Sequence, residues 1–293
     1  MIKLIAIDLD GTLLNSDSKI SEENANAIRK AQSLGVHVTI ATGRAHADVK
    51  AICAEAGINT PVIGANGATT HDEDSNRVES IPMDRNTAMS VLEWLDQNQF
   101  YYEVLTDRAI YSPNEGHQLM SIEIDRALSA NPEESLDRLL RMAEKQYEQT
   151  GIVRIPSYLS IPEDAEIYNI LSLSFDKQKL ELGRARFRNN PEVTMVISAD
   201  HNFEVEHPDA SKGNALSKLA ARLGISLEHT MAIGDSNNDV SMLTIAGTSV
   251  AMGNAHPDIQ AIAKEVTLTN IENGVAYAIE RKLAGMNMEP SLT

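Results

Sequence analysis

Residues 2–7 are apolar apart from Lys3, and they run directly into Asp8-Leu9-Asp10-Gly11-Thr12. A continuous apolar run of this length predicts a strand buried on both faces, the kind found inside a parallel sheet. Two further runs behave alike. Residues 36–41 end in Thr42-Gly43-Arg44, and Val62-Ile63-Gly64 meets Ala65-Asn66-Gly67-Ala68. Helical stretches fill the gaps, one opened by Ser21 and covering 24–34 before Gly35, another over 46–56 before Gly57. The β-α-β-α-β order predicts an α/β fold with a parallel sheet flanked by helices.

The alternation resumes far downstream. It predicts a helix over 211–223, a strand over 230–233 running into Gly234-Asp235, a helix over 238–246, a strand over 249–252, and helices over 257–263 and 275–283. The tail beyond Gly285 contains Pro290 and is expected to fray. Residues 83–206 have a mixed α+β texture: helices over 87–97, 132–150 and 179–188, a hairpin of 101–105 with 109–111 around Asp107-Arg108, and strands over 168–175, 193–197 and 203–205. The expected organisation is a core of residues 1–82 plus 207–293, interrupted by an inserted domain over 83–206 with links near Pro82 and Pro208.

Charge narrows the partners. With 25 Lys+Arg against 42 Asp+Glu the net charge is −17, which disfavours nucleic acid and anionic membranes. Apolar residues make up 42% of the chain, enough for a sizeable core. No apolar run reaches the roughly 18 residues of a membrane span, and no secretory leader pattern opens the chain. The single cysteine, Cys53, excludes an internal disulfide and is expected to be buried and inert. The expectation is a soluble cytoplasmic protein; nothing in the sequence assigns an oligomeric state. The eight histidines have no metal-ligand spacing, and Tyr101, Tyr102 and Tyr111 read as packing residues rather than a base-stacking platform.

Ligands of open parallel sheets bind outside the carboxyl ends of the strands, and that is where the polar clusters fall. Asp8 and Asp10, two apart in extended chain, point to the same side and repel. Such a pair alone also suits a turn after a strand. With Asp235 and Asp239 at another strand end, a hard divalent cation becomes the better account, and Mg2+ prefers a few such oxygens. Lys212 lies in the first turn of a helix, where the macrodipole favours anions. Either it is a solvated surface lysine or it converges with the helix amides on a bound anion. Thr42 opens the following helix. Its hydroxyl and the Gly43 amide could hold a phosphate oxygen, or Thr42 is an ordinary N-cap. Asn66 lies in a strong turn pair and is a candidate substrate contact.

Taken together, Asp8-Leu9-Asp10-Gly11-Thr12, Thr42 in Ala-Thr-Gly-Arg, Lys212 in Ser-Lys-Gly-Asn-Ala-Leu and Gly234-Asp235-Ser236-Asn237-Asn238-Asp239 resemble, in order, the four motifs of the haloacid dehalogenase superfamily of phosphatases. The insertion looks like that superfamily's larger cap, as in its Cof-type branch. The resemblance implies a Rossmann-like core with an inserted α+β cap. Tyr101-Tyr102-Glu103-Val104 and Ser129-Ala130-Asn131-Pro132-Glu133 look similar to Bacillus-type members, some of which act on 5-amino-6-(5-phospho-D-ribitylamino)uracil in riboflavin synthesis.

The resemblance makes Asp8 the nucleophile that forms an aspartyl-phosphate, and Asp10 the general acid and base. It has Mg2+ bound by Asp8, the main-chain carbonyl of Asp10 and Asp235, with Asp239 holding the metal or its waters. Thr42, Gly43, Lys212, Asn238 and the amide of Leu9 would cradle the transferring oxygens, with Arg44 adding positive charge. The cap would hold the leaving group. The partner implied is a small-molecule phosphate ester. Rivals are a phosphomutase or phosphotransferase, which shares the aspartyl-phosphate, and a non-enzymatic phospho-acceptor or metabolite sensor. A nucleotide-binding dehydrogenase is set aside because no GxGxxG follows the first strand.

Overall fold

A computed structural model describes residues 1–130, 135–140 and 151–286. The chain divides into two compact units, Met1–Ser80 with Ala210–Thr293, and Ile81–Asp209. The first part of the chain supplies strands β1 (Leu4–Ile7), β2 (His37–Ala41), β3 (Val62–Gly64), β4 (Thr69–His71) and β5 (Arg77–Ser80). Between them lie helices α1 (Glu22–Ser33) and α2 (His46–Glu55). The Ile81–Asp209 unit holds α3 (Arg85–Gln97), β6 (Tyr101–Thr106), β7 (Ile110–Pro113), α4 (Gly116–Ala130), β8 (Ile152–Ile155), β9 (Ile167–Leu173), α5 (Lys177–Phe187), β10 (Thr194–Val196) and β11 (Asn202–Glu206). The chain then returns to the first unit with α6 (Lys212–Arg222), β12 (Thr230–Gly234), α7 (Val240–Ile245), β13 (Thr248–Ala251), α8 (Pro257–Ile262), β14 (Glu265–Val266) and α9 (Gly274–Met286).

The first unit's sheet runs β14-β13-β12-β1-β2-β3-β4-β5. From β14 to β3 every pairing is parallel, and β4 and β5 extend the sheet antiparallel. The register sets Ile7 beside both Ile233 and Ile40, so the chain leaves β1, β12 and β2 at one edge. All four residues of β1 are buried, consistent with a strand covered on both faces. Helix starts follow local chemistry. Ser21 accepts from the Asn24 amide, Ser211 from the Asn214 amide, and Pro257 occupies the first turn of α8, where its missing N–H costs nothing. Buried Asn24 then ties elements together, donating to the Leu13 carbonyl while its side-chain oxygen accepts from the Ala276 amide.

The inserted unit carries a second sheet, β10-β11-β9-β6-β7-β8, antiparallel except for β7 with β8. Its main core gathers Phe100, Tyr102, Val104, Ile170, Phe187, Phe203 and Val205. Tyr102 and Tyr111 are buried in that core, and Tyr101 is buried in a second cluster with Met120, Ile124 and Leu173.

Several elements escape the sequence reading for physical reasons. Strands β4 and β5 are short and polar at their ends, and β14, only Glu265 and Val266, is too short to carry a period. Strand β8 alternates weakly, with Val153 exposed. Helix α4 buries Met120 and Ile124 but exposes Ile122, which blurs its apolar stripe. Of the helix expected over 132–150, residues 136–140 are helical, while 132–134 and 141–150 lie outside the described residues. The tail from 287 onward also lies outside them.

Candidate active site

The chain leaves β1 with the Asp8 amide donating to the Ile233 carbonyl at 2.9 Å, which brings Asp8 against the end of β12. Asp8, Asp235 and Asp239 each offer a carboxylate oxygen within 4.8 Å of the others. Gly11 allows this. Its φ is +79°, and a Cβ there would sit 2.4 Å from Asp235 Oδ2. Gly234 does the same beneath Asp239, where a Cβ would meet the carboxyl carbon at 2.5 Å. Asp10 does not join this acidic group. Its side chain, about half exposed, turns to Arg44, whose Nε and Nη2 donate to its two oxygens at 2.8 and 2.6 Å. The expected pairing of Asp8 with Asp10 is therefore replaced by a grouping of Asp8 with the β12 acids.

Lys212 is 0% exposed, which removes the solvated-lysine reading. Its Nζ lies 2.7 Å from Asp8 Oδ1 and 2.7 Å from Asp239 Oδ1. Burial works against its charge, but Asp239 and Asp8 outweigh it and the ammonium is held more firmly than usual. Asp239, also 0% exposed, spends its other oxygen on the amides of Asp235 and Ser236, at 2.9 and 3.0 Å. It is a brace between Lys212 and the loop after β12. Helix α6 is drawn close to α7 because Gly213 leaves no side chain against Ser241, whose hydroxyl accepts from the Gly213 amide at 3.0 Å.

Three carboxylates facing one ammonium leave an excess of negative charge. Burial, then Asp239, push the Asp8 carboxyl well above its ordinary range, against the pull of Lys212. Burial and Asp239 push Asp235 up to about 6. Asp8 Oδ2 is buried without a hydrogen-bond partner among the described residues. Hard oxygen donors, raised carboxyl pKa values and an unpartnered buried oxygen are the donor set a divalent cation fits.

Thr42 does not open a helix. Helix α2 begins at His46 after Ala45, with no side-chain cap, so the Thr42-Gly43-Arg44 segment is a loop at the end of β2. The Thr42 hydroxyl accepts from the Arg44 amide at 3.2 Å. Leu9 is a core residue whose carbonyl accepts from the Leu14 amide. Asn66, 2% exposed, accepts from Asn238 Nδ2 at 3.1 Å, and Asn238 Oδ1 accepts from the Ser236 hydroxyl at 2.6 Å. Two contributors escape the sequence reading. The Thr12 hydroxyl donates to Asp235 Oδ1 at 3.1 Å, and Asn254 Nδ2 donates to the Gly11 carbonyl at 2.8 Å. Thr12 lies in the first motif and was legible by position; Asn254 has no signal in its surroundings.

Comparison with known proteins identifies the family. The family model for haloacid dehalogenase-like hydrolases matches residues 5–279. The chain is 50% identical over 285 residues to the phosphatase YwpJ of Bacillus subtilis, covering 96% of this chain and 100% of that one. It is 41% identical to the 5-amino-6-(5-phospho-D-ribitylamino)uracil phosphatase YwtE of the same organism, covering 97% and 99%. A solved haloacid dehalogenase-like hydrolase from B. subtilis superposes with a TM-score of 0.84 at 50% identity, over 95% of this chain and 99% of that one. Three strand-end motifs and a helix start gathered on one edge of a parallel sheet, and relatives matched from end to end, lead to one assignment: the chain belongs to the haloacid dehalogenase-like hydrolases and is a phosphatase.

Proposed function

We propose that the protein is a Mg2+-dependent phosphatase that hydrolyses a small-molecule phosphomonoester through an aspartyl-phosphate on Asp8. The observation that carries this reading is the Asp8 carboxyl, buried with one oxygen on Lys212 and the other unpartnered beside Asp235. Asp8 attacks phosphorus, a new O–P bond forms and the ester O–P bond breaks. Asp10 supplies a proton to the departing alkoxide, then accepts one from the water that attacks the aspartyl-phosphate and releases inorganic phosphate. Lys212, Thr42, Gly43, Asn238 and the Leu9 amide hold the equatorial oxygens, so that most of the rate enhancement is positioning and charge neutralisation. Arg44, bonded to Asp10, orients the acid. Asp8, Asp235 and the main-chain carbonyl of Asp10 would hold Mg2+, with Asp239 behind them. When bound, the cation offsets the carboxylate charge that would otherwise repel a dianionic ester.

For the substrate we propose 5-amino-6-(5-phospho-D-ribitylamino)uracil or a sugar phosphate. The name of the 41%-identical relative and the likeness of the 101–104 segment to Bacillus-type members support this choice. The Ile81–Asp209 unit is assigned the selection of leaving group, and the cytoplasm is taken as the compartment. No described helix is long and apolar enough to cross a membrane. The test is phosphate release from a panel of sugar, nucleotide and flavin-pathway phosphates, with Mg2+ and with EDTA. Release from none of them with Mg2+, or equal release in EDTA, would overturn the proposal.

A further inference from the structure

The loop after β3 is built against its own backbone preferences. Ala65 and Asn66 both have positive φ, 48° and 52°, and Gly67 follows at 103°. Two successive non-glycine residues in the left-handed region cost energy, and such strain persists only where the surroundings impose it. The surroundings here are the other loops of the site. The Asn66 amide donates to the Thr42 carbonyl at 2.9 Å, and the Ala65 amide donates to the Arg44 carbonyl at 3.0 Å. The two bonds grip the β2 loop on either side of Gly43. A Cβ on Gly43 would lie 3.1 Å from Asn66 Oδ1, so the side chain of Asn66 lies directly against that residue. Gly67 packs backbone to backbone on Ser211, the residue before Lys212, where a Cβ would meet the carbonyl oxygen at 2.2 Å. Finally, Asn66 Oδ1 accepts from Asn238 Nδ2 at 3.1 Å. Asn66 is thus the point at which the loops after β2, β3 and β12 meet, beside the start of α6.

We infer that Asn66 is a positioning residue for phosphoryl binding rather than a substrate contact, acting by aiming the side-chain amide of Asn238. Asn238 is held at both ends: Ser236 donates to its oxygen, and Asn66 takes one of its two amide hydrogens. No hydrogen bond among the described residues takes the second. The hold on Asn66 Oδ1 therefore turns that remaining N–H to a set direction and lends it to an incoming oxyanion without further ordering. The strained backbone explains why the residue is Asn: it tolerates the left-handed conformation better than most side chains, and its side chain reaches across to the β12 loop.

This inference rests on the reading of Asn238 as a group that holds the transferring phosphoryl, and one double-mutant cycle separates the two. The variants are Asn66→Gly, Asn238→Ala and the pair. Glycine keeps the backbone conformation without strain and removes only the side chain. The readouts are the competitive inhibition constant of inorganic phosphate, KM and kcat separately, and a thermal melt. Each single variant is expected to weaken phosphate by about tenfold, the worth of one charge-assisted bond, with the double no weaker than Asn238→Ala alone. Single effects that multiply in the double would show Asn66 acting on its own and would overturn the inference. So would a full effect of Asn238→Ala with none from Asn66→Gly. If Asn238→Ala leaves phosphate affinity unchanged, the reading of Asn238 itself fails, and this inference fails with it. Should the glycine variant lose its cooperative melt, Asn66→Ser replaces it in the same cycle with the same criteria.

Discussion

The guanidinium of Arg44 takes both carboxylate oxygens of Asp10, across 34 residues of sequence, with two bonds of 2.8 and 2.6 Å. A two-pronged hold of this kind fixes the plane of the carboxylate as well as its position. The sequence analysis expects Arg44 to add positive charge at the site; its two bonds to Asp10 support the proposal that it aims the acid and base.

Lysine at position 44 keeps the charge and loses the fork. Arg44→Lys is expected to lower kcat by about tenfold on alkyl phosphates, with a smaller loss on esters of acidic phenols, whose departure needs less proton donation. Asp10→Asn should show the same pattern with larger losses. A uniform loss across leaving groups in both variants would refute the acid role.

Asp8→Asn is expected to abolish turnover, by about 10⁴-fold or more, and to leave the fold intact. Lys212 keeps its bond to Asp239 in that variant. Because burial and Asp239 disfavour the Asp8 carboxylate, removing its charge should not lower the melting temperature. Near-normal phosphate release from the variant would remove Asp8 as nucleophile.

Lys212→Met takes the ammonium from between two buried carboxylates. Breaking a buried pair from one side costs about 3–5 kcal/mol, which a denaturant titration reads as a lower midpoint. Activity should vanish as well. A midpoint within experimental error of wild type would show that Lys212 is not what reconciles Asp8 with Asp239.

Cation binding should depend on pH with a definite sign. Asp235 is raised to about 6 and Asp8 is raised too, so the folded chain retains protons that the unfolded carboxylates release. Their contribution to stability is largest in acid and is lost as pH rises through about 6. A divalent cation favours the ionised form, so the gain in melting temperature on adding Mg2+ should grow from about pH 5 to about pH 7 and disappear in EDTA. A gain that shrinks over that range would contradict the placement of the cation at these acids.

A second pH effect arises at the start of α2. The rings of His46 and His71 stack with centroids 3.9 Å apart and planes 20° apart, and His46 Nε2 and His71 Nδ1 are buried without partners among the described residues. Burial, then His46, push His71 down to about 4, with Arg77 acting in the same direction and Asp72 against it. Burial and Lys50 lower His46. Both lie below their ordinary value, so the unfolded chain binds more protons between about 6.5 and about 4, and stability falls as pH falls through that window. His71→Phe preserves a stacked ring and should flatten the melting curve over the same interval; an unchanged slope would break the connection.

Much of the architecture was legible in the first 68 residues. Continuous apolar runs can satisfy themselves only inside a covered sheet, and each one ends in polar residues that must then lie at the sheet edge. That reasoning places Asp8, Thr42 and Asp235 at strand ends and Lys212 at a helix start, where the structure has them, although Thr42 proved to lie in a loop four residues ahead of α2 rather than at its cap. Strands β4, β5 and β14 were not legible, since they are too short and too polar for a period to appear.

What periodicity could not encode is which charges meet. Asp8 and Lys212 are 204 residues apart, and their contact depends on the register of β1 beside β12 and on Gly213 letting α6 approach α7. The amino-acid sequence by itself determined the kind of sheet and the chemistry delivered to its edge, because burial of apolar runs is a local demand with few solutions. Only the tertiary structure decided that Asp10 turns to Arg44 while Asp8 joins Asp239 around a buried ammonium. Coulomb pairing is settled by distances of a few ångströms, and those distances exist only after the strands have been laid side by side.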